Sequence, residues 1–241
     1  MNTFEIRDFE VLVENIKNCL LNFGIFKIEH VRKNKSSFLK MLTDGEIKLY
    51  ERYLREKSRL EFLGGRVLLK QCLLRSINKD ACRSVAFKDI DIKRGENGKP
   101  RLFIRDKEID SVYFSISHKM DYIFCAVDYD SNIGIDVEKV DIKLIRLKSY
   151  YMTSKEEKII SGTIKVKDLL PAYYTMLWAS KECLVKCLGQ NLWQVLGNSE
   201  LVEIRGKEYV LRYRQKDREI KVISNNFLYD GYVFSVMAIN D

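Results

Sequence analysis

The run Gly134-Ile135-Asp136-Val137-Glu138 places two carboxylates two residues apart. In an extended strand such residues share a face, so Asp136 and Glu138 point together while Ile135 and Val137 point to the other side. Neighbouring carboxylates repel unless a positive charge lies between them. Mg²⁺ suits such a pair, because it takes one or two carboxylates and completes its shell with water and phosphate oxygens. A solvated outer strand face is the plain alternative. A second run, Trp178-Ala179-Ser180-Lys181-Glu182-Cys183-Leu184-Val185-Lys186, has helical spacing, with 178, 182 and 186 along one face. Glu182 could complete a carboxylate cluster or act as a base, and Lys186 could neutralise a leaving phosphate. An exposed Glu–Lys pair one turn apart, worth about 0.2–0.5 kcal/mol, is the alternative there.

Two further groups sit earlier in the chain. Phe114-Ser115-Ile116-Ser117-His118 ends a strand, and alternation sets Ser117 opposite His118. Gly65-Arg66 and Lys70 lie on a long helical stretch, where Arg66 could clamp a phosphate or simply face water.

The elements that must carry these residues are legible in outline. Thr43 with Glu46, and Thr153 with Glu156, have the spacing of a capping box, which starts a helix. They lie 110 residues apart (153 − 43). The strand-like runs Tyr122–Val127 and Tyr232–Met237 lie 110 apart as well (232 − 122). Two features at one lag suggest two similar halves, 1–130 and 131–241, joined near Asp130-Ser131-Asn132. In the first half, 43–77 reads as helix, Glu96–Pro100 as a turn, and Val112–Ser117 and Asp121–Val127 as strands. In the second, Ile133–Val137 reads as a strand, 154–161 and 169–189 as helices, and 201–213, 218–224 and 231–239 as a strand meander. The expected class is α+β, with mostly antiparallel sheets packed on long helices.

The 241 residues suffice for a large core, and 46% apolar with 32% charged residues is ordinary for a soluble globular protein. No apolar run is long enough to span a bilayer, and MNTFEIRDFEVLVE lacks a basic start followed by an apolar core, so a cytoplasmic chain without a membrane partner is expected. Six cysteines form no C-x-x-C pair and only two histidines are present, which argues for reduced thiols rather than zinc or disulfides. The net charge of +8 favours an acidic partner: phosphate ligand, nucleic acid or acidic protein.

Taken in order, G-K-P, F-x-I-S-H, a D-Y strand, G-I-D-V-E-K and W-x-x-K-E-x-x-x-K resemble the Sfp-type 4′-phosphopantetheinyl transferases over residues 59–189. The resemblance implies two similar α/β halves in a pseudo-twofold fold, with an active site in the cleft between them. It implies transfer of the phosphopantetheine arm of coenzyme A to a serine of an acidic acyl or peptidyl carrier protein. It assigns Asp136, Glu138 and Glu182 to Mg²⁺, and Glu182 and Lys186 to catalysis. Gly98, Lys99 and Pro100 would hold the adenine end of coenzyme A, with Arg66, Ser117, His118 and Lys181 at its phosphates. Ser115 stands where the family usually has asparagine, and Cys183 where it has alanine or serine. Residues 1–40 carry no part of the resemblance. A monomer that does not bind nucleic acid is expected. The rival reading, a metal-dependent nuclease, accounts for D-x-E and the basic charge but leaves G-K-P and F-x-I-S-H without a role.

Overall fold

The computed structural model describes residues 3–20, 22–77, 85–95, 100–164, 166–215 and 218–240. Its helices and strands, in chain order, are α1 (Thr3–Lys17), β1 (Phe23–Lys27), α2 (Ile28–Lys33), α3 (Lys35–Leu39), α4 (Asp44–Arg52), α5 (Glu56–Ile77), β2 (Ile90–Arg94), β3 (Pro100–Ile104), β4 (Lys107–Ile109), β5 (Tyr113–Lys119), β6 (Tyr122–Asp128), β7 (Asn132–Lys139), α6 (Lys143–Arg146), α7 (Lys148–Tyr151), α8 (Ser154–Thr163), α9 (Leu170–Leu188), α10 (Leu192–Asn198), β8 (Ser199–Arg205), β9 (Glu208–Gln215), β10 (Arg218–Tyr229) and β11 (Tyr232–Ile239). The class is α+β and every paired strand is antiparallel.

Both capping boxes form. Thr43 Oγ1 accepts the Glu46 N–H at 3.2 Å while Glu46 Oε2 accepts the Thr43 N–H at 3.0 Å. Thr153 and Glu156 repeat the exchange at 3.3 and 2.7 Å. Each box ties down two amide donors that the first helical turn leaves without partners, worth about 1 kcal/mol for the cap residue.

The chain divides into two units. One ends at Asp130; the other takes everything from Ser131 onward together with the N-terminal segment through Leu20. The boundary near 130 coincides with the expected one. The N-terminal helix departs from the expected 1–130 half: α1 packs on β10, burying Leu12 and Ile16 and setting Phe9 5.6 Å from Tyr229 between ring centroids.

In the unit ending at Asp130, a sheet in the order β1-β6-β5 packs on α5, and β2-β3-β4 forms a second small sheet. Val31, Leu63, Val67, Leu69, Leu73 and Ile123 lie in one apolar cluster. The expected continuous helix over 43–77 is two helices. Tyr53 turns to extended backbone (φ −72°, ψ 124°), ending α4 before α5 starts at Glu56. In the other unit a five-stranded sheet runs β7-β11-β10-β9-β8, with α9 against β7, β10 and β11. The expected strand over 201–213 is a hairpin, because Gly206 at φ 61° turns β8 into β9. Leu177, Leu184, Val195, Leu211, Val222 and Val233 belong to its core. Among the described residues, no helix is long and apolar enough to cross a membrane.

Candidate functional site

β7 carries Asp136 and Glu138, and α9 carries Glu182 and Lys186. What lets the helix lie so close to the strand is Gly134. A Cβ there would come 2.0 Å from the Cys183 carbonyl oxygen and 2.9 Å from Cys187 Sγ. Those atoms belong to the helix itself, so any larger residue must push α9 off β7.

The close approach joins the two runs. Lys186 Nζ donates to Asp136 Oδ1 and to the Ile135 carbonyl oxygen, both at 2.8 Å. Asp136 is buried, only 4% exposed, whereas Glu138 and Glu182 are half-buried. Burial is the largest influence on Lys186 and would depress its pKa. Asp136, with Cys183 and Glu182, outweighs that, so the net shift is upward and the ammonium stays charged. The Cys183 thiol is pushed well above its ordinary value, chiefly by burial and next by Asp136. It is inert as a nucleophile in this state. Trp178, on the same stripe of α9, meets Tyr151 edge-on at 5.4 Å.

Two expectations need correction. Lys181 was expected at a phosphate, but it is 1% exposed, with Nζ 2.8 Å from Glu156 Oε1 and 2.7 Å from the Tyr151 carbonyl oxygen. Glu156 Oε1 also accepts the Leu201 N–H at 2.7 Å. Lys181 thus secures the start of α8 and of β8 to α9, and presents no surface to a ligand. Secondly, Glu182 was expected to join Asp136 and Glu138 as a third metal ligand. Among the described residues, no group of three or more His, Cys, Asp or Glu gathers closely enough to hold a metal ion. It is Lys186 that lies against Asp136.

The remaining candidates belong to the other unit. Arg66, with 16% of its side chain exposed, lies over the Phe62 ring at 4.8 Å, its Nε 3.6 Å from Glu46 Oε1. Burial lowers its pKa, partly offset by Glu46. His118 is 48% exposed at its side chain, with Nδ1 3.5 Å from Glu61 Oε1, and Ser117 is buried on the opposite face of β5. Gly98 and Lys99 lie outside the described residues, and Pro100 opens β3, a position where proline's missing N–H costs least.

What reasoning from sequence missed is the role of Gly134 and the pairing of Glu156 with Lys181. The glycine had a signal, since an isolated glycine inside a strand pattern often marks close backbone approach.

β7 and α9 thus bring together a strand with two carboxylates and a helix with a glutamate and a lysine, joined by the Lys186–Asp136 pair. Residues 132–237 match the family model described as the 4′-phosphopantetheinyl transferase superfamily, and residues 30–130 match that described as 4′-phosphopantetheinyl transferase, N-terminal. A 4′-phosphopantetheinyl transferase from Bacillus pumilus is 28% identical over 128 residues, 53% of this chain and 51% of the relative, so this chain spans about half that protein's length. A holo-[acyl-carrier-protein] synthase from a Geobacillus strain is 31% identical over 111 residues, 44% of this chain and 92% of the relative. Among solved structures, a Bacillus anthracis holo-(acyl-carrier-protein) synthase in complex with CoA (3′,5′-ADP) aligns with a TM-score of 0.38 at 24% identity, over 44% of this chain and 90% of that one. The chain belongs to the 4′-phosphopantetheinyl transferase superfamily.

Proposed function

We propose that this protein transfers the 4′-phosphopantetheine group of coenzyme A to a serine of an apo-carrier protein, acyl or peptidyl, releasing adenosine 3′,5′-bisphosphate. The observation that supports the reading is the apposition of β7, which carries Asp136 and Glu138, and α9, which carries Glu182 and Lys186, with Lys186 on Asp136, within the segment matched by the superfamily model.

In the reaction, the serine oxygen bonds to the β-phosphorus of the pyrophosphate. The bond from that phosphorus to the bridging oxygen breaks, and the bisphosphate leaves with the electron pair. Glu182, half-buried on the accessible stripe of α9, takes the serine proton directly or through water. Lys186, kept charged by its surroundings, offsets negative charge growing on the leaving oxygen. The donor chemistry of Asp136 and Glu138 fits Mg²⁺, which needs only one or two carboxylates from a protein, so these two residues would hold it. When bound, Mg²⁺ would supply positive charge to the pyrophosphate. Arg66, His118 and Ser117 are proposed, on the resemblance alone, to contribute hydrogen bonds or charge to coenzyme A phosphates.

The carrier would meet the segment after β7. There Lys143 and Arg146 are exposed among the exposed apolar Ile142, Leu147 and Tyr150. Lys148 is committed to Glu157. The protein is proposed to act as a monomer in the cytoplasm.

A thermal-shift comparison tests the ligand class. A ligand that binds only the folded state raises its stability by RT ln(1 + [L]/Kd). Coenzyme A with Mg²⁺ is expected to raise Tm, and duplex or single-stranded nucleic acid is not. Stabilisation by nucleic acid alone would overturn the reading.

A further inference from the structure

The lysine on Asp136 bears on how the site takes up a cation. Asp136 is buried, and a carboxylate taken out of water is costly unless it is paired and hydrogen-bonded. Lys186 meets that need at 2.8 Å, and its second hydrogen bond, to Ile135 O, fixes the ammonium to the backbone of the same strand.

The other unit supplies an internal control. Lys27 on β1 pairs with Tyr122 on β6 as Lys139 on β7 pairs with Tyr232 on β11, so β1 and β7 correspond at a lag of 112 (139 − 27). Ile135 then corresponds to Phe23, and Asp136 to Gly24. The buried helix lysines Lys70 and Lys181 correspond at a lag of 111 (181 − 70), which sets Arg75 against Lys186. Arg75 Nη2 donates to the Phe23 carbonyl oxygen at 3.2 Å, as Lys186 donates to Ile135. A cation held on that strand carbonyl is therefore part of the scaffold, present even where no carboxylate follows.

We propose that Lys186 is an internal cation for Asp136, held at the strand backbone, and that a divalent cation must take Asp136 from it in order to bind. Lys186 is in this sense a positioning residue: it holds and orients Asp136 before the metal arrives. Once displaced it retains Ile135 O as an anchor and is released toward the phosphates. The inference rests on the assignment of Asp136 to the metal made above, and deepens it by adding an order of events.

The test is Mn²⁺ binding to the full chain without coenzyme A, followed by titration calorimetry and by the Mn²⁺ EPR signal, for the wild type, Lys186→Met and Lys186→Gln. Two replacements are used so that a failure of one to fold leaves the other to be read. Without metal, both variants should melt below the wild type, because the buried ion pair and hydrogen bond from Lys186 are gone. Both should bind Mn²⁺ at least about threefold more tightly and gain more in Tm on adding it. The tightening should vanish when Asp136→Asn is combined with either. Equal or weaker Mn²⁺ binding in both variants would overturn the proposal, since the ammonium would then assist the metal rather than compete with it. If wild type and variants alike bind no Mn²⁺, both the metal assignment and this inference fall. If Mn²⁺ binds and carrier is modified but the variants bind no tighter, only the inference does.

Discussion

In each unit a buried lysine of the long helix reaches the glutamate of the capping box. Lys70 Nζ meets Glu46 Oε2 at 2.6 Å and the Met41 carbonyl oxygen at 3.1 Å. Lys181 meets Glu156 and the Tyr151 carbonyl oxygen in the same way. Lys27 lies over the Tyr122 ring at 5.5 Å, and Lys139 over Tyr232 at 5.7 Å. The scaffolds thus repeat down to individual polar contacts, while the residues suited to chemistry do not. Gly24 and Phe26 stand at the positions of Asp136 and Glu138, and Gln71 at that of Glu182. The shared contacts hold a helix on a sheet; the residues that differ are those proposed above for metal, base and leaving group.

The largest expected effect separates the two glutamine–glutamate counterparts. Glu182→Gln should lower kcat by about 10²–10⁴, the usual worth of a positioned base, whereas Gln71→Ala should leave kcat near wild type. Equal losses in steady-state assays would mean that this helix position matters for packing in both units and for chemistry in neither.

Next come the buried pairs. Lys181→Met strands buried Glu156 and should cost about 3–5 kcal/mol in urea unfolding, whereas Lys70→Met should cost less, because Arg66 stays beside Glu46. The double replacements Glu46→Leu with Lys70→Met, and Glu156→Leu with Lys181→Met, should recover part of that. Lys181→Met should also leave the KM for coenzyme A within about twofold, because its ammonium is enclosed. A selective rise in that KM would restore Lys181 to a phosphate.

Glycines give a smaller and opposite pair of effects. Gly134→Ala should destabilise by about 1–3 kcal/mol by overpacking against α9, and lower kcat as Glu182 and Lys186 shift. Gly162→Ala, where a Cβ meets nothing within 4 Å inside α8, should stabilise by about 0.5–1 kcal/mol. Unfolding curves of the two variants check both signs.

The smallest effect is electrostatic steering of the carrier. Raising salt from 0.01 to 0.15 M shortens the screening length from about 30 to about 8 Å. The carrier KM should rise several-fold with little change in kcat, and charge reversal at Lys143 or Arg146 should mimic this at low salt. A carrier KM independent of salt would assign docking to Ile142, Leu147 and Tyr150 instead.

What the sequence disclosed follows from the range over which each signal acts. The capping boxes and the aromatic and β-branched runs of β5, β6, β7 and β11 are local, and were legible. The break between α4 and α5 was not, because Tyr53-Leu54-Arg55 contains no glycine or proline to interrupt the helical pattern. Spacing did place Glu182 and Lys186 on one stripe. Lys181 was misjudged because one residue along a helix is about 100° of rotation, and sequence alone did not show which flank faces the core. The proximity of Lys186 to Asp136 depends on how closely α9 lies to β7, a tertiary distance set by Gly134. Four residues of the expected coenzyme A turn, 96–99, fall outside the described part of the chain.

The central claim is transfer to a carrier serine, and intact-protein mass spectrometry addresses it directly. A panel of apo-carriers from fatty-acid, polyketide and peptide synthetases is incubated with the enzyme, coenzyme A and Mg²⁺. At least one carrier should gain the mass of a single phosphopantetheine, localised to serine by peptide fragmentation. EDTA, Asp136→Ala or Glu138→Ala should abolish the gain. A folded enzyme that modifies no carrier in the panel, or that modifies one equally well after EDTA treatment and with both carboxylates removed, would contradict the account.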